Sequence, residues 1–355
     1  MKKMLKKSLM RRVMKRRIAN TVFDDAAGET WTAPADAGPE INNSHYFSSH
    51  DLEGNSFFLR AAKRGGKNGV AEVWFAFKSS SGEIYVNTQQ LLPLEKNTTK
   101  VECIEPLRKW KISFEGKVIP VIPGEDKQAI TNGKEIDAKF EGEFTSEFGI
   151  YDFSRDTDLN AFCNAIAAEK WKKGFSDELK KNHQVHIEQD GHATATLSVE
   201  GKEFKMDAPA IRDHSFGRRL WSYMNRHAWL STILEDKNAI NVNTVRYPAL
   251  NVLGLKTGYK IKNGVAANMI CVDFPKDFLT SGKPPTAGEF KAKFSDKTKA
   301  VVKYEPEIIF TFNFDDADGG YVVYEGIASF TVDNVKGRGI AEFGYNKDRR
   351  RYADI

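Results

Sequence analysis

Short stretches of alternating apolar and polar residues, punctuated by X-Gly pairs, run through most of this chain and constrain its fold more than any other feature. Trp110, Ile112 and Phe114 alternate with Lys111 and Ser113, the period of a strand with one buried face. Similar strand signals fall at Ser56–Ala62, Val70–Phe77, Glu83–Asn87 and Val101–Glu105. They resume at Gln184–Gln189, Ala193–Val199, Ala228–Glu235, Ile240–Arg246, Leu255–Ile261, Val265–Phe274, Ile308–Phe314, Tyr321–Phe330 and Gly339–Tyr345. Ser81-Gly82, Glu115-Gly116, Asn132-Gly133, Asp190-Gly191, Glu200-Gly201, Asn263-Gly264 and Asp318-Gly319 read as turns between them. Many strands with few helices for crossovers predict antiparallel barrels or sandwiches, not a parallel sheet wrapped in helices.

One stretch breaks the pattern. Leu159, Phe162, Cys163, Ile166 and Ala167 recur at helical spacing behind Thr157 and Asp158, either of which can cap. A helix is expected within Asp158–Lys181, interrupted at Gly174, with a second short turn around Phe175–Leu179. At 355 residues, 41% of them hydrophobic, the chain can fill two cores. The expected organisation is a flexible basic arm at 1–20, a linker at 21–44, a first β domain at 45–152, a helical connector at 153–183, a second β domain at 184–347 and a tail at 348–355.

Charge is distributed unevenly along this plan. The net charge is +5, yet residues 1–20 hold nine Lys/Arg and no acid, leaving 44 basic and 48 acidic residues in the rest. That body has no basic bias of the kind nucleic acid requires, so no nucleic-acid partner is expected. In the arm, Lys2-Lys3, Lys6-Lys7, Arg11-Arg12 and Lys15-Arg16 alternate with apolar pairs at a period too long for one helical face. It reads as disordered; weak attraction to anionic lipid headgroups and organelle targeting are the functional alternatives. No apolar run reaches roughly 18 residues, which predicts no spanning helix and a cytoplasmic location. Cys103, Cys163 and Cys271 lack CxxC spacing and read as reduced core thiols.

Two polar clusters could carry chemistry. Residues Ile211 to Trp221 place Arg212, Asp213, His214, Ser215, Arg218 and Arg219 close together. They would serve either as acid–base groups or as an Arg–carboxylate lattice across strands. Neighbouring strand residues face opposite sides, so Asp213 and His214 share a cavity only if the segment bends. In the second cluster, His186 and Glu188 share a face and Gln189 looks the other way; hydrogen bonds from that pair to the arginines are expected. No third ligand stands near them in sequence, so no metal site is expected. Asp213, Glu188 and His214 are the catalytic candidates. Arg212, Arg218, Trp221, His186, Trp229 and Trp110 are the candidate ligand contacts, although tryptophans at strand positions are more often core.

Several stretches together carry a family resemblance. The run from Val101 to Gly116, VECIEPLRKWKISFEG, resembles a stretch of animal phosphoenolpyruvate-synthase-like proteins, in their non-catalytic N-terminal region. The helix Asp158–Lys181, His186–Gln189, Arg212–Trp221 and Gly337–Tyr345 follow in the same order. More remotely, this region is similar to proteins with tandem lipocalin-like β domains, including carotenoid hydratases and cyclases of polyenes. Ile187 and Phe216 depart from the usual aromatics of those motifs. The resemblance implies two antiparallel lipocalin-like β domains joined by a helical segment. With no ATP-grasp or phosphohistidine domain in the chain, phosphoenolpyruvate synthesis is not expected. The expected function is a carrier for an apolar elongated molecule, a carotenoid or other lipid, with homo-oligomerisation an open possibility. The alternative is a hydratase, cyclase or isomerase acting on a polyene or isoprenoid by acid–base chemistry, with Arg212 and Arg218 tuning a carboxylate acid.

Overall fold

The computed structural model describes all residues except 1, 21–24, 182–183, 249–253, 276–277, 279, 317–318 and 354–355. The expected Asp318-Gly319 turn therefore lies partly outside the described residues. The chain is mainly β. Its first sheet contains β1 (Ile41–His50), β2 (Ser56–Arg64), β3 (Val70–Lys78), β4 (Ile84–Asn87), β5 (Leu91–Pro93), β6 (Lys100–Glu105), β7 (Lys109–Pro123), β8 (Ala129–Thr131), β9 (Ile136–Thr145), β10 (Tyr151–Asp152), β11 (Gln184–Val199) and β12 (Lys202–Arg218). The second contains β13 (Arg226–Leu234), β14 (Ala239–Arg246), β15 (Leu255–Lys262), β16 (Val265–Asp273), β17 (Gly288–Phe294), β18 (Lys299–Asp316), β19 (Gly319–Val332) and β20 (Val335–Asn346), closed into a barrel.

The first sheet also runs round in a ring. Antiparallel pairings pass from β1 through β2, β3, β4, β7, β9, β11 and β12 and back to β1. These pairings move the expected domain boundary. Strands β11 and β12, placed by sequence in the second domain, belong to the first, because β11 pairs with β9 along His192–Val199 and β12 pairs with β1. The helices α3 (Leu159–Ala168) and α4 (Phe175–Lys181) are thus an insertion within the first ring, not a bridge between domains. The chain crosses between barrels at residues 219–225, around a 3-10 turn at Trp221–Tyr223. Strand β1 likewise begins inside the expected linker.

Strand parity determines what fills the rings. In the first, Phe47, Phe57, Leu59, Phe75, Phe77, Trp110, Phe114, Phe140 and Phe144 pack inward. In the second, Leu230, Val242, Met269, Phe290, Phe294, Val302, Phe330 and Phe343 do the same. Rings of about eight strands are narrow enough for side chains to fill. A third cluster lies on the facing outer surfaces, where Tyr46, Phe58, Trp74, Trp221, Trp229, Phe310, Phe312 and Tyr321 meet. Trp74 stacks on Phe312 with centroids 4.5 Å apart, and Trp221 stacks on Phe314 at 4.3 Å. A bulge between Pro306 and Ile308 supplies this face: Val302 and Tyr304 point into the second barrel, whereas Ile308, Phe310 and Phe312 point toward the first.

Two expected turns are strand interiors. Glu115-Gly116 lies within β7 and Asp190-Gly191 within β11. A Cβ on Gly191 would sit 2.3 Å from the Thr145 carbonyl oxygen and 2.6 Å from the Phe144 ring, so this glycine admits a close crossing of β9. Asp158 caps α3 by accepting from the Ala161 N–H at 2.8 Å. Cys163 is buried, but Cys271 is exposed and so is not a core thiol.

The segment expected as a flexible arm is helical. It forms α1 (Lys2–Asn20), which packs on α3; residues Asp25–Glu29 form the short α2. Lys6 Nζ donates to the Glu169 carbonyl at 2.5 Å, just past the end of α3, and lies 5.2 Å over the Trp171 ring. Met14 is buried. Helices of this kind take their stability from such tertiary contacts more than from intrinsic preference.

The stacked seam should make the barrels unfold together. Phe312→Ala is expected to destabilise the whole chain by about 3–5 kcal/mol, lowering amide-exchange protection in both barrels. Loss of protection from one barrel alone would contradict a cooperative seam.

Candidate functional site between the barrels

Since both rings are filled, open space lies between them. A cavity of about 720 Å³ is walled by the first barrel through Ser44, Tyr46, Arg60, Trp74, His186 and Asp213, and by the second through His227, Trp229, Asn243 and Glu342. Met10, Val13, Met14 and Ile18 of α1 roof it together with Leu159 and Phe162 of α3. The volume suits a drug-sized molecule. The roof and much of the wall are apolar, so the ionisable groups stand out.

The first group comes from even positions of β11 and odd positions of β12, which face the second barrel. His186 Nε2 lies 2.8 Å from Asp213 Oδ2 and 3.3 Å from Glu188 Oε1, and Asn243 of β14 donates to Glu188 Oε1 at 3.2 Å. His186 is surrounded by protein, with 31% of its side chain open toward the cavity; Glu188 sits fully buried behind it. Burial alone would lower the His186 pKa, but the charge of Asp213 and the bonds to Asp213 and Glu188 raise it to about 10. Burial raises Glu188 to about 7 despite the adjacent His186. At neutral pH this cluster therefore holds an imidazolium with a partly protonated carboxyl behind it.

The second group faces the first across the cavity. His227 bonds to Glu342 Oε1 through Nε2 and to Tyr321 Oη through Nδ1, the latter at 2.7 Å. Glu325 stands opposite Glu342 in the β19–β20 register and accepts from the Tyr46 hydroxyl at 2.6 Å. Burial would raise both carboxyls. His227 holds Glu342 down at about 2, whereas burial and the neighbouring Glu342 charge keep Glu325 well above the usual range. One glutamate keeps its proton and its neighbour does not, the separation that acid–base sites use.

The candidates named from sequence divide by parity. His186, Asp213, Trp221 and Trp229 line the cavity, with Glu188 directly behind. His214 points the other way, into the first barrel, where it stacks on His45 at 3.9 Å and meets Asn43 Oδ1 at 2.9 Å. Burial and nearby Arg212 push it down to about 3, so it is neutral and away from the cavity. Arg212 also points away: it pairs with Glu29 at 2.9 Å, donates to Gln189 Oε1 at 2.7 Å and lies 4.9 Å over Trp110. Arg218 lies 3.8 Å from Glu40, and Trp110 belongs to the first core. The expected bonds from His186 and Glu188 to these arginines are replaced by Asp213 and Asn243, and it is Gln189 that takes Arg212.

Arg60, Tyr46, His227, Glu325 and Glu342 were not among the sequence candidates. For Glu325 and Glu342 the available signal was a lone acid within each of two apolar stretches, Val322–Ile327 and Ile340–Phe343. The structure also supplies the third ligand missing from sequence, since His186, Glu188 and Asp213 bring donor atoms within 4.8 Å of one another. A cation would have to displace the proton that the two carboxylates hold on His186.

Glu188 also couples pH to stability. Its pKa rises from 4.5 in the unfolded chain to about 7 in the fold, so its stabilising contribution is complete below 4.5 and is lost as pH rises through about 7. Glu188→Gln should flatten this decline relative to the parent in urea unfolding across that window. Parallel stability–pH curves would show that Glu188 titrates normally.

Among solved structures the chain is similar to a candidate AttH protein from Nitrosomonas europaea, with TM-score 0.53 and 13% identity over 91% of this chain and 99% of that one. It is similar to kievitone hydratase from Nectria haematococca, with TM-score 0.50 and 10% identity over 92% and 93% of the two chains. It is similar also to CghA, with TM-score 0.50 and 9% identity over 88% and 92%. At these identities the likeness is one of fold, and it agrees with two lipocalin-like β domains. No curated protein matches in sequence. Residues 25–347, spanning both barrels and the helical insertion, match the family described as "Domain of unknown function (DUF7064)", and the chain belongs to that family.

Proposed function

We propose that this chain is a proton-transfer enzyme of the hydratase or isomerase type, acting on a largely apolar, unsaturated small molecule bound between the barrels. The observation that carries this reading is the pair of proton-handling clusters on opposite walls of one cavity: His186 with Asp213 and Glu188, and Glu342 with His227. A known hydratase with this fold supports the reaction class.

The protonation states suggest the direction of transfer. The His186 imidazolium gives its proton to an alkene carbon and becomes neutral imidazole. Water adds to the resulting cation and passes a proton to the Glu342 carboxylate, for a net addition of H₂O. Without water, Glu342 removes a proton from the adjacent carbon and the double bond shifts. Return of the proton from Glu342 to His186 through solvent completes either cycle. Arg212 and Arg218 pair with Glu29 and Glu40 instead and have no part in it.

The carrier reading uses the same space for a carotenoid or other lipid. It leaves both clusters without a role, although apolar guests would suit the roof. The likeness to animal phosphoenolpyruvate-synthase-like proteins rests on the sequence stretches alone.

Incubation of purified protein with prenylated and polyene substrates in D₂O should place deuterium on a substrate carbon, read by mass spectrometry. His186→Gln and Glu342→Gln should each slow this by roughly 10²- to 10⁴-fold while ligand binding persists. Tight binding with no exchange or conversion across the panel would favour the carrier instead.

A further inference from the structure

Helix α1 uses two faces. Successive residues turn by about 100°, so Met10, Met14 and Ile18 fall on the side that roofs the cavity, while Leu5, Leu9, Arg12 and Arg16 fall on the opposite side. The outward leucines are open: Leu5 is 70% exposed and Leu9 50%. Arg11, Arg12, Lys15 and Arg16 are exposed as well. Leucines on an exposed helical face, beside cations and with no acid anywhere in the helix, have no use in water.

We propose that this outward face docks on an anionic lipid surface. The charge is complementary, since α1 carries nine Lys/Arg and no Asp or Glu, whereas the remaining chain is mildly acidic and would be repelled. Leu5 and Leu9 provide apolar contact at headgroup depth, which distinguishes a bilayer from a nucleic acid. The helix lies on the surface: among the described residues no helix is long and apolar enough to cross a membrane. Since the opposite face of α1 roofs the cavity, docking brings that roof against the lipid, the natural source of an apolar ligand. The docking itself does not depend on the chemistry assigned to the cavity.

Sedimentation of the full chain with phosphatidylcholine vesicles, with and without phosphatidylserine, tests this directly. Binding should require phosphatidylserine and fall as salt approaches about 1 M, where the screening length is about 3 Å. Arg12→Gln with Arg16→Gln should weaken partitioning about thirtyfold, and Leu5→Ser or Leu9→Ser about tenfold each. These positions leave the Met10–Met14–Ile18 contacts in place, and unchanged thermal unfolding would verify that. Absence of vesicle binding, binding indifferent to lipid charge, or binding unaltered by these substitutions would overturn the proposal. So would displacement from vesicles by a DNA duplex whose own binding ignores Leu5 and Leu9.

Discussion

The packing of outer face against outer face, with Trp74 on Phe312 and Trp221 on Phe314, is the contact on which the rest of the molecule depends. Within each ring the inward side chains are committed to a core, as in the stack of Phe75 on Phe114 at 4.6 Å. Neither ring can therefore take a guest at its centre. Only outward residues can build a site, and they become buried solely because a second barrel covers them. The bulge in β18 is what lets one strand serve both purposes, filling its own ring and then facing the partner.

Joining two outer faces also buries groups that an isolated barrel would leave in water. Glu72 is held ionised because Arg64 and Arg60 more than offset its burial, at 2.7 and 2.9 Å. Arg60 in turn lies 4.5 Å over the Trp74 ring, so the ion pairs and the aromatic seam share members. Glu325 and Glu342 face each other directly in an antiparallel register, and two like charges there would repel in a medium with little screening. The His227 ring holds Glu342 ionised, while burial and the Glu342 charge keep the proton on Glu325 against the opposing pull of the Tyr46 hydroxyl. The difference in protonation thus follows from the register and from His227 of the adjacent strand β13 standing beside Glu342 alone.

Alternation made the β architecture legible, and with it the separation of Asp213 from His214, because period two assigns faces without knowledge of the partner strand. It could not assign partners. Strands β11 and β12 carry the same kind of signal as those that follow them, and only hydrogen bonding to β9 and β1 places them in the first ring. Asp190-Gly191 imitates a turn because glycine serves close crossings as well as reversals. The residues Arg212 to Trp221 look like one cluster in sequence, yet the strand sends alternate members to opposite sides. The helix α1 leaves no such signal, since apolar residues on two faces cancel in a periodicity that seeks one. The Glu325 and Glu342 half of the site is assembled across strands and across the seam, so no local motif announces it.

Burial itself favours chemistry over passive carriage. A wall meant only to hold hydrocarbon would be best made of aliphatic and aromatic side chains, and the α1 roof shows that this chain can make one. Placing His186, Asp213, Glu188, Glu342 and His227 around the same space costs several kcal/mol of desolvation for each unpaired charge. Pairing reduces that cost, but isosteric apolar residues would remove it. Purely structural ion pairs occur in this protein too, and Arg64 with Glu72 is one. What distinguishes His186 and Glu342 is that each presents a wall of the cavity while its partner sits behind or beside it. Groups so placed face the cavity in opposite protonation states, which cohesion does not need but the proposed proton transfer would require.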